Sequence, residues 1–68
     1  MKLEEFLKTN NYTQKSFIQD FEKETGTKIP QSTLAKWILQ TRLPRKKQMV
    51  LLYDFTGGRV SPNDFYLN

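Results

Sequence analysis

Apolar residues recur along this chain at helical spacing, in four successive stretches. Leu3, Phe6 and Leu7 stand at i, i+3 and i+4, which predicts a short amphipathic helix over Leu3 to Asn10, stopped by Asn10-Asn11. Thr13 then serves as the N-cap of a second helix, whose apolar stripe is Phe17, Ile18 and Phe21. Gly26 ends it, since glycine takes the left-handed backbone of a helix terminus without a side-chain clash. A third helix is expected over Pro30 to Gln40, because proline suits a helix start and Leu34, Trp37 and Ile38 repeat the spacing. Pro44 opens a fourth, which runs to about Thr56 and stops at Gly57-Gly58. Beyond it, Val60 alternates with polar neighbours, and Ser61-Pro62-Asn63-Asp64 is a turn signal ahead of Phe65, Tyr66 and Leu67. No repeat or low-complexity linker divides the chain, so residues 1–68 are expected to form a single all-α domain.

Composition narrows the chemistry available to such a domain. Sixty-eight residues without cysteine leave packing or self-association as the sources of stability. Without histidine as well, no His-based triad, imidazole metal site or thiolate nucleophile can form, and no P-loop or dinucleotide-binding glycine motif is present. Glu4 and Glu5 are neighbours on one helix and do not face each other as an acid/base pair. The chain is therefore read as a non-enzyme with no cofactor, metal or small-molecule substrate. Its longest apolar run is the five residues from Met49 to Tyr53, too short to span a membrane, and no signal peptide is visible. Absent cysteine fits a reducing compartment, which makes the cytoplasm the expected location.

Charge adds a direction. Residues 1–27 carry four lysines against five acids, a net of −1. Residues 28–59 carry Lys28, Lys36, Arg42, Arg45, Lys46, Lys47 and Arg59 against Asp54 alone, a net of +6, and Asp64 returns the total to +4. Positive charge concentrated in one central stretch is the footprint of a polyanion binder, and a solvated basic face is the plainer alternative. On the third helix, at about 100° per residue, Ser32 and Lys36 lie opposite Leu34 while Gln31 projects from the first turn. These side chains suit base edges, and the backbone N–H groups of a helix start suit phosphates, with an ordinary solvent-facing surface as the plainer alternative. Arg45, Lys46 and Lys47 fall in the first turn of the fourth helix, where cations oppose the macrodipole. Bases held against a local preference imply an anion that compensates.

In order and spacing, Thr13-Gln14, the Phe17, Ile18 and Phe21 face, the string IPQSTLAKW at 29–37, Pro44 after a short basic link, and TGGRVSPNDF at 56–65 resemble the phage Cro/CI-type helix-turn-helix repressors. The resemblance covers nearly the whole chain. It implies a small lambda repressor-like domain of four to five helices with a short extended C-terminal tail, acting on operator DNA in the cytoplasm of a bacterial host, associated with the nucleoid. Position by position, it puts Pro30 at an N-cap and Gln31, Ser32 and Lys36 at base-reading places. It makes Thr33 a phosphate contact or a further reader, and Gln14, Lys46 and Lys47 phosphate contacts, with Arg42 and Arg45 as nearby bases. Trp37 matches a core position, with stacking on an exposed base as the alternative. Two features depart from the pattern. The stretch from Phe21 to Leu34 is about six residues too long for a turn of three or four, so either the second helix is extended or the turn is enlarged. Leu39 falls on the outward side of the third helix, where it contacts a thymine methyl, packs under the long connection, or stands exposed.

The expected function is a sequence-specific regulator of double-stranded DNA. An adaptor that uses the same fold to bind an acidic protein, and an architectural or excision-type factor that bends DNA, remain as alternatives. A homodimer is expected on DNA because Met49, Val50, Leu51, Leu52, Tyr53 and Phe55 surround nearly the whole fourth helix. If the preceding helices cover Met49, Leu52 and Phe55, then Val50 or Leu51 is left to the tail or to a second copy. Val60, Phe65, Tyr66 and Leu67 could serve that interface or close the core of one chain.

Overall fold

A computed structural model describes residues 1–66, and among them every regular element is helical. The order is α1 (Leu3–Thr9), α2 (Gln14–Thr25), α3 (Gln31–Ile38), α4 (Lys46–Phe55) and α5 (Asn63–Tyr66). Among the described residues, no helix is long and apolar enough to cross a membrane.

The boundaries follow from local hydrogen bonds. Thr13 caps α2 as expected: its hydroxyl oxygen accepts from the Ser16 N–H at 3.1 Å, while the Thr13 N–H donates to the Ser16 hydroxyl at 2.9 Å. Gly26, at φ 75°, closes the other end. Helix α1 closes with the paired bonds of a Schellman motif, Asn11 N–H to the Lys8 carbonyl and Tyr12 N–H to the Leu7 carbonyl, with Asn11 left-handed at φ 58°. The same pattern ends α3, where the Gln40 and Thr41 N–H groups bond the carbonyls of Trp37 and Lys36. Gln40 occupies the left-handed position, so α3 stops at Ile38 rather than at Gln40. Pro30 and Pro44 both stand outside the helices they precede. Pro30 is an N-cap with extended backbone. Pro44 is one residue further out, because the Arg45 N–H donates to Gln48 Oε1 at 2.8 Å and so fixes Arg45 as the N-cap of α4. Pro44 and Met49 are both buried, at the two positions that a hydrophobic staple pairs.

The long stretch between Phe21 and Leu34 is accounted for mainly by helix. Helix α2 runs three turns, and only residues 26–30 separate it from α3. Ile29 in that connection is buried, so it is anchored to the core rather than looped out.

The end of the chain corrects the expected extended tail. Asp64 Oδ2 accepts from the Ser61 N–H at 2.8 Å and from its hydroxyl at 3.1 Å, and α5 grows from this cap. Burial pushes the Asp64 carboxyl up, but the Ser61 hydrogen bonds and the Met1 amino group, 3.2 Å away, outweigh it and hold the carboxyl below its ordinary range.

Leu3, Phe6, Leu7, Phe17, Phe21, Ile29, Leu34, Trp37, Met49, Leu52, Val60 and Phe65 form one core cluster. Helix α2 packs on α3 and α4, and α1 packs on α3. Phe17 is the junction, with rings of Phe55, Tyr12, Phe21 and Phe6 centred 5.4, 5.6, 5.8 and 6.4 Å from its own. Trp37 is buried in this core, which settles it as a packing residue rather than a stacking platform. Phe17→Ala should cost about 3–5 kcal/mol, a large share of what a domain this small possesses. The thermal transition followed by circular dichroism should be lost or shifted down by tens of degrees. A shift of only a few degrees would mean that Phe17 is not the junction of the core.

Candidate nucleic-acid interface

Helix α3 turns Leu34 and Trp37 inward, and the same rotation that buries them places Gln31, Ser32 and Lys36 in solvent. The three expected base readers are therefore all exposed on one short helix. Thr33 is half-buried beside them. It lines a recess of about 180 Å³ together with Pro30, Trp37, Arg42, Leu43, Arg45 and Gln48. The recess brings the first turn of α3 against the connection that leads into α4, so three of the expected phosphate-binding residues, Thr33, Arg42 and Arg45, share one concavity. Lys46 and Lys47 follow directly as the first two residues of α4, and both are exposed. Gln14 is half-buried at the first position of α2 and does not line this recess.

Two features give this surface its electrostatic character. Neither α3 nor α4 has a side-chain cap on its first N–H groups. Among the described residues, no acceptor meets the N–H groups of Gln31, Ser32 and Thr33 or those of Lys46, Lys47 and Gln48. Such starts carry partial positive charge and free donors. In α2 the corresponding need is met by Thr13. The second feature is the absence of competing acids: no Asp or Glu occurs between Glu24 and Asp54. Among the described residues, the one ion pair joins the Met1 amino group to Asp64, so no lysine or arginine of this surface is neutralised by a neighbouring carboxylate.

A larger cleft of about 730 Å³ is of mixed charge. It is lined by Tyr12, Asp20, Glu24 and Asp54, with Lys23 and Arg59 among its other residues. Burial raises the Tyr12 phenol above its ordinary range. Its 2.9 Å hydrogen bond to Asp20 and the charges of Asp20 and Glu24 add to the effect. A phosphate backbone would meet three carboxylates there, so this cleft does not extend the basic surface. Among the described residues, no group of three or more acidic side chains is arranged to hold a metal ion.

The residues expected at a dimer interface divide. Val60 is 1% exposed and Phe65 7%, so both belong to the core of the single chain and are removed from that set. Val60 is held there by its N–H, which donates to the buried Thr56 hydroxyl at 3.0 Å, and Phe65 by the cap that starts α5. Val50 at 55% and Tyr66 at 60% are exposed, Leu51 is half-buried, and Leu67 lies outside the described residues. Sequence reasoning missed Gln48, which accepts from the N–H of the N-cap residue Arg45 and lines the recess. The signal was its place three residues after an N-cap, obscured by taking Pro44 as the first helical residue. It also missed Leu43, an exposed leucine in the same recess. Lys46→Glu provides a test of the unfavourable charge at the start of α4. It should stabilise the fold by about 1 kcal/mol at low salt, because a carboxylate there favours the dipole that a cation opposes. Urea unfolding would detect the gain, which should shrink as salt is raised. No gain at low salt would mean that the cations at this helix start are not held at a cost.

Comparisons with protein-family models, with curated proteins and with solved structures returned no match to this chain.

Proposed function

We propose that this chain is a sequence-specific regulator that binds double-stranded DNA, a helix-turn-helix protein of the Cro-like phage repressor type. In this reading α2 and α3 are the helix pair and α3 enters the major groove. The observation that carries the proposal is the surface around two helix starts without side-chain caps, where, among the described residues, no basic side chain is paired with a carboxylate. The order of motifs resembling the Cro/CI-type repressors supports the same conclusion. Gln31, Ser32 and Lys36 read base edges, because they are the exposed polar side chains of the helix that presents them. Arg42, Arg45, Lys46 and Lys47, with the free N–H groups beside them, hold phosphates and set the register. Thr33 and Gln14 add contacts at the first turns of α3 and α2. The five-residue connection 26–30 is longer than the usual turn of such a pair. The bulk of DNA binding is electrostatic and the discrimination local, so the two sets of residues should respond differently to substitution.

Selection of bound fragments from random duplex DNA should enrich one motif. Gln31→Ala and Lys36→Ala should change the preferred bases, with about 1–3 kcal/mol of discrimination lost at a position. Lys46→Ala and Lys47→Ala should weaken cognate and random DNA alike and lower the salt slope by about one unit each. A motif unchanged by Gln31→Ala but altered by Lys46→Ala would reverse the roles of α3 and α4.

The regulator acts as a homodimer, since two copies related by a two-fold axis read half-sites about 34 Å apart while one small module reads few base pairs. Of the side chains expected at that contact, Val50 and Tyr66 are exposed and Leu51 is half-buried. Sedimentation equilibrium with and without the enriched duplex should find two chains per full site. A one-to-one complex with a half-site, and no dimer in either condition, would contradict dimerisation and leave DNA binding intact.

A further inference from the structure

Leu39 is 71% exposed, well above the other large exposed apolar residues of the described chain. It is the C-cap of α3, and its backbone is still helical at φ −76° and ψ −6°, so its side chain continues the rotation of that helix. At about 100° per residue, Ser32, Lys36 and Leu39 lie within about 60° of one another. They form a single outward stripe whose ends are about 10 Å apart, the length of about three base pairs. The left-handed Gln40 and the two carbonyl bonds behind it fix where the helix ends, so Leu39 is held on this stripe rather than on a loose segment.

Nothing within the described chain covers Leu39, and its surroundings specify what could. Its stripe carries Lys36 and the loop beyond it carries Arg42, while the carboxylates of Glu4 and Asp64 line a recess with the neighbouring Ile38 and Gln40, that of Asp64 paired with the Met1 amino group. An anionic duplex fits the bases of the stripe and the loop. Within its major groove the one apolar group on a base edge is the C5-methyl of thymine. We infer that Leu39 is a specificity-determining residue that packs against a thymine methyl at the C-terminal end of the α3 stripe. This inference rests on the DNA-binding function proposed above. The alternatives for this side chain are a protein partner or a second copy of the chain on the same leucine. Neither would depend on a methyl group in the DNA.

The test removes each half of the contact separately. The duplex enriched by the wild-type protein is resynthesised with uracil in place of thymine, one position at a time, which deletes the methyl and leaves the hydrogen-bonding edge intact. One position per half-site should weaken wild-type binding about fourfold, the value of one buried methyl-sized group. The Leu39→Ala protein should bind the thymine and uracil duplexes equally. Because Leu39 is exposed, its truncation should leave the melting temperature unchanged, which separates lost recognition from lost folding. If a motif is enriched but every uracil substitution is tolerated, or if Leu39→Ala retains the full thymine preference, the inference fails and DNA binding stands. If no duplex is enriched, both fail.

Discussion

The structure depends on the seating of Phe17. Its ring is fully buried and contacts aromatic rings from α1, the α1–α2 connection, its own helix and α4. Most of these contacts are edge-on, the geometry in which the positive rim of one ring meets the negative face of another. Phe21 repeats the arrangement one turn later with Phe55, their centroids 5.3 Å apart. In a chain without cysteine, and so without disulfides, this aromatic layer fixes α2 against α4, while Ile29, Leu34 and Trp37 bring α3 onto the same core. The basic surface has a defined shape because α3 and the start of α4 are both anchored to one rigid centre.

The helix ends are of two kinds. Helix α2, which supplies the centre, is closed at both ends by Thr13 with Ser16 and by Gly26. Helices α3 and α4 begin without side-chain caps, and α4 begins with consecutive cations. Free donors and like charges at these two starts are costs in the isolated protein, and both become contacts when an anion is present. Local violations of otherwise consistent patterning are expected at functional surfaces. Here they coincide with the segment from which acids are missing.

Much of the helical framework was legible because its residues signal locally. Thr13 and Gly26 mark α2, and the inward spacing of Leu34 and Trp37 marks α3 and exposes Gln31, Ser32 and Lys36. The departures come where a tertiary partner or a side-chain cap overrides local preference. Pro44 looks like a first helical residue until Gln48 bonds the Arg45 N–H and moves the start inward. Ser61-Pro62-Asn63-Asp64 reads as a turn, yet the Ser61 N–H and hydroxyl both donate to the Asp64 carboxylate and the turn leads straight into α5. Val60 and Phe65 cannot be sorted by periodicity between a core and an interface, since both environments are apolar. Their burial in a single chain decides it. For Leu39, the pattern established its outward direction, while the extent of its exposure among the described residues required the fold.

The most direct measurement is a titration of isotopically labelled protein with its enriched duplex, followed through backbone amide chemical shifts. The amides of Gln31, Ser32 and Thr33, of Leu39, and of Arg45 to Gln48 should move together and saturate at one stoichiometry. Those of α1 and of the acidic segment from Asp20 to Thr25 should stay in place. Shifts concentrated around Tyr12, Asp20, Glu24 and Asp54, with α3 and the start of α4 unmoved, would contradict the assignment of this surface to DNA.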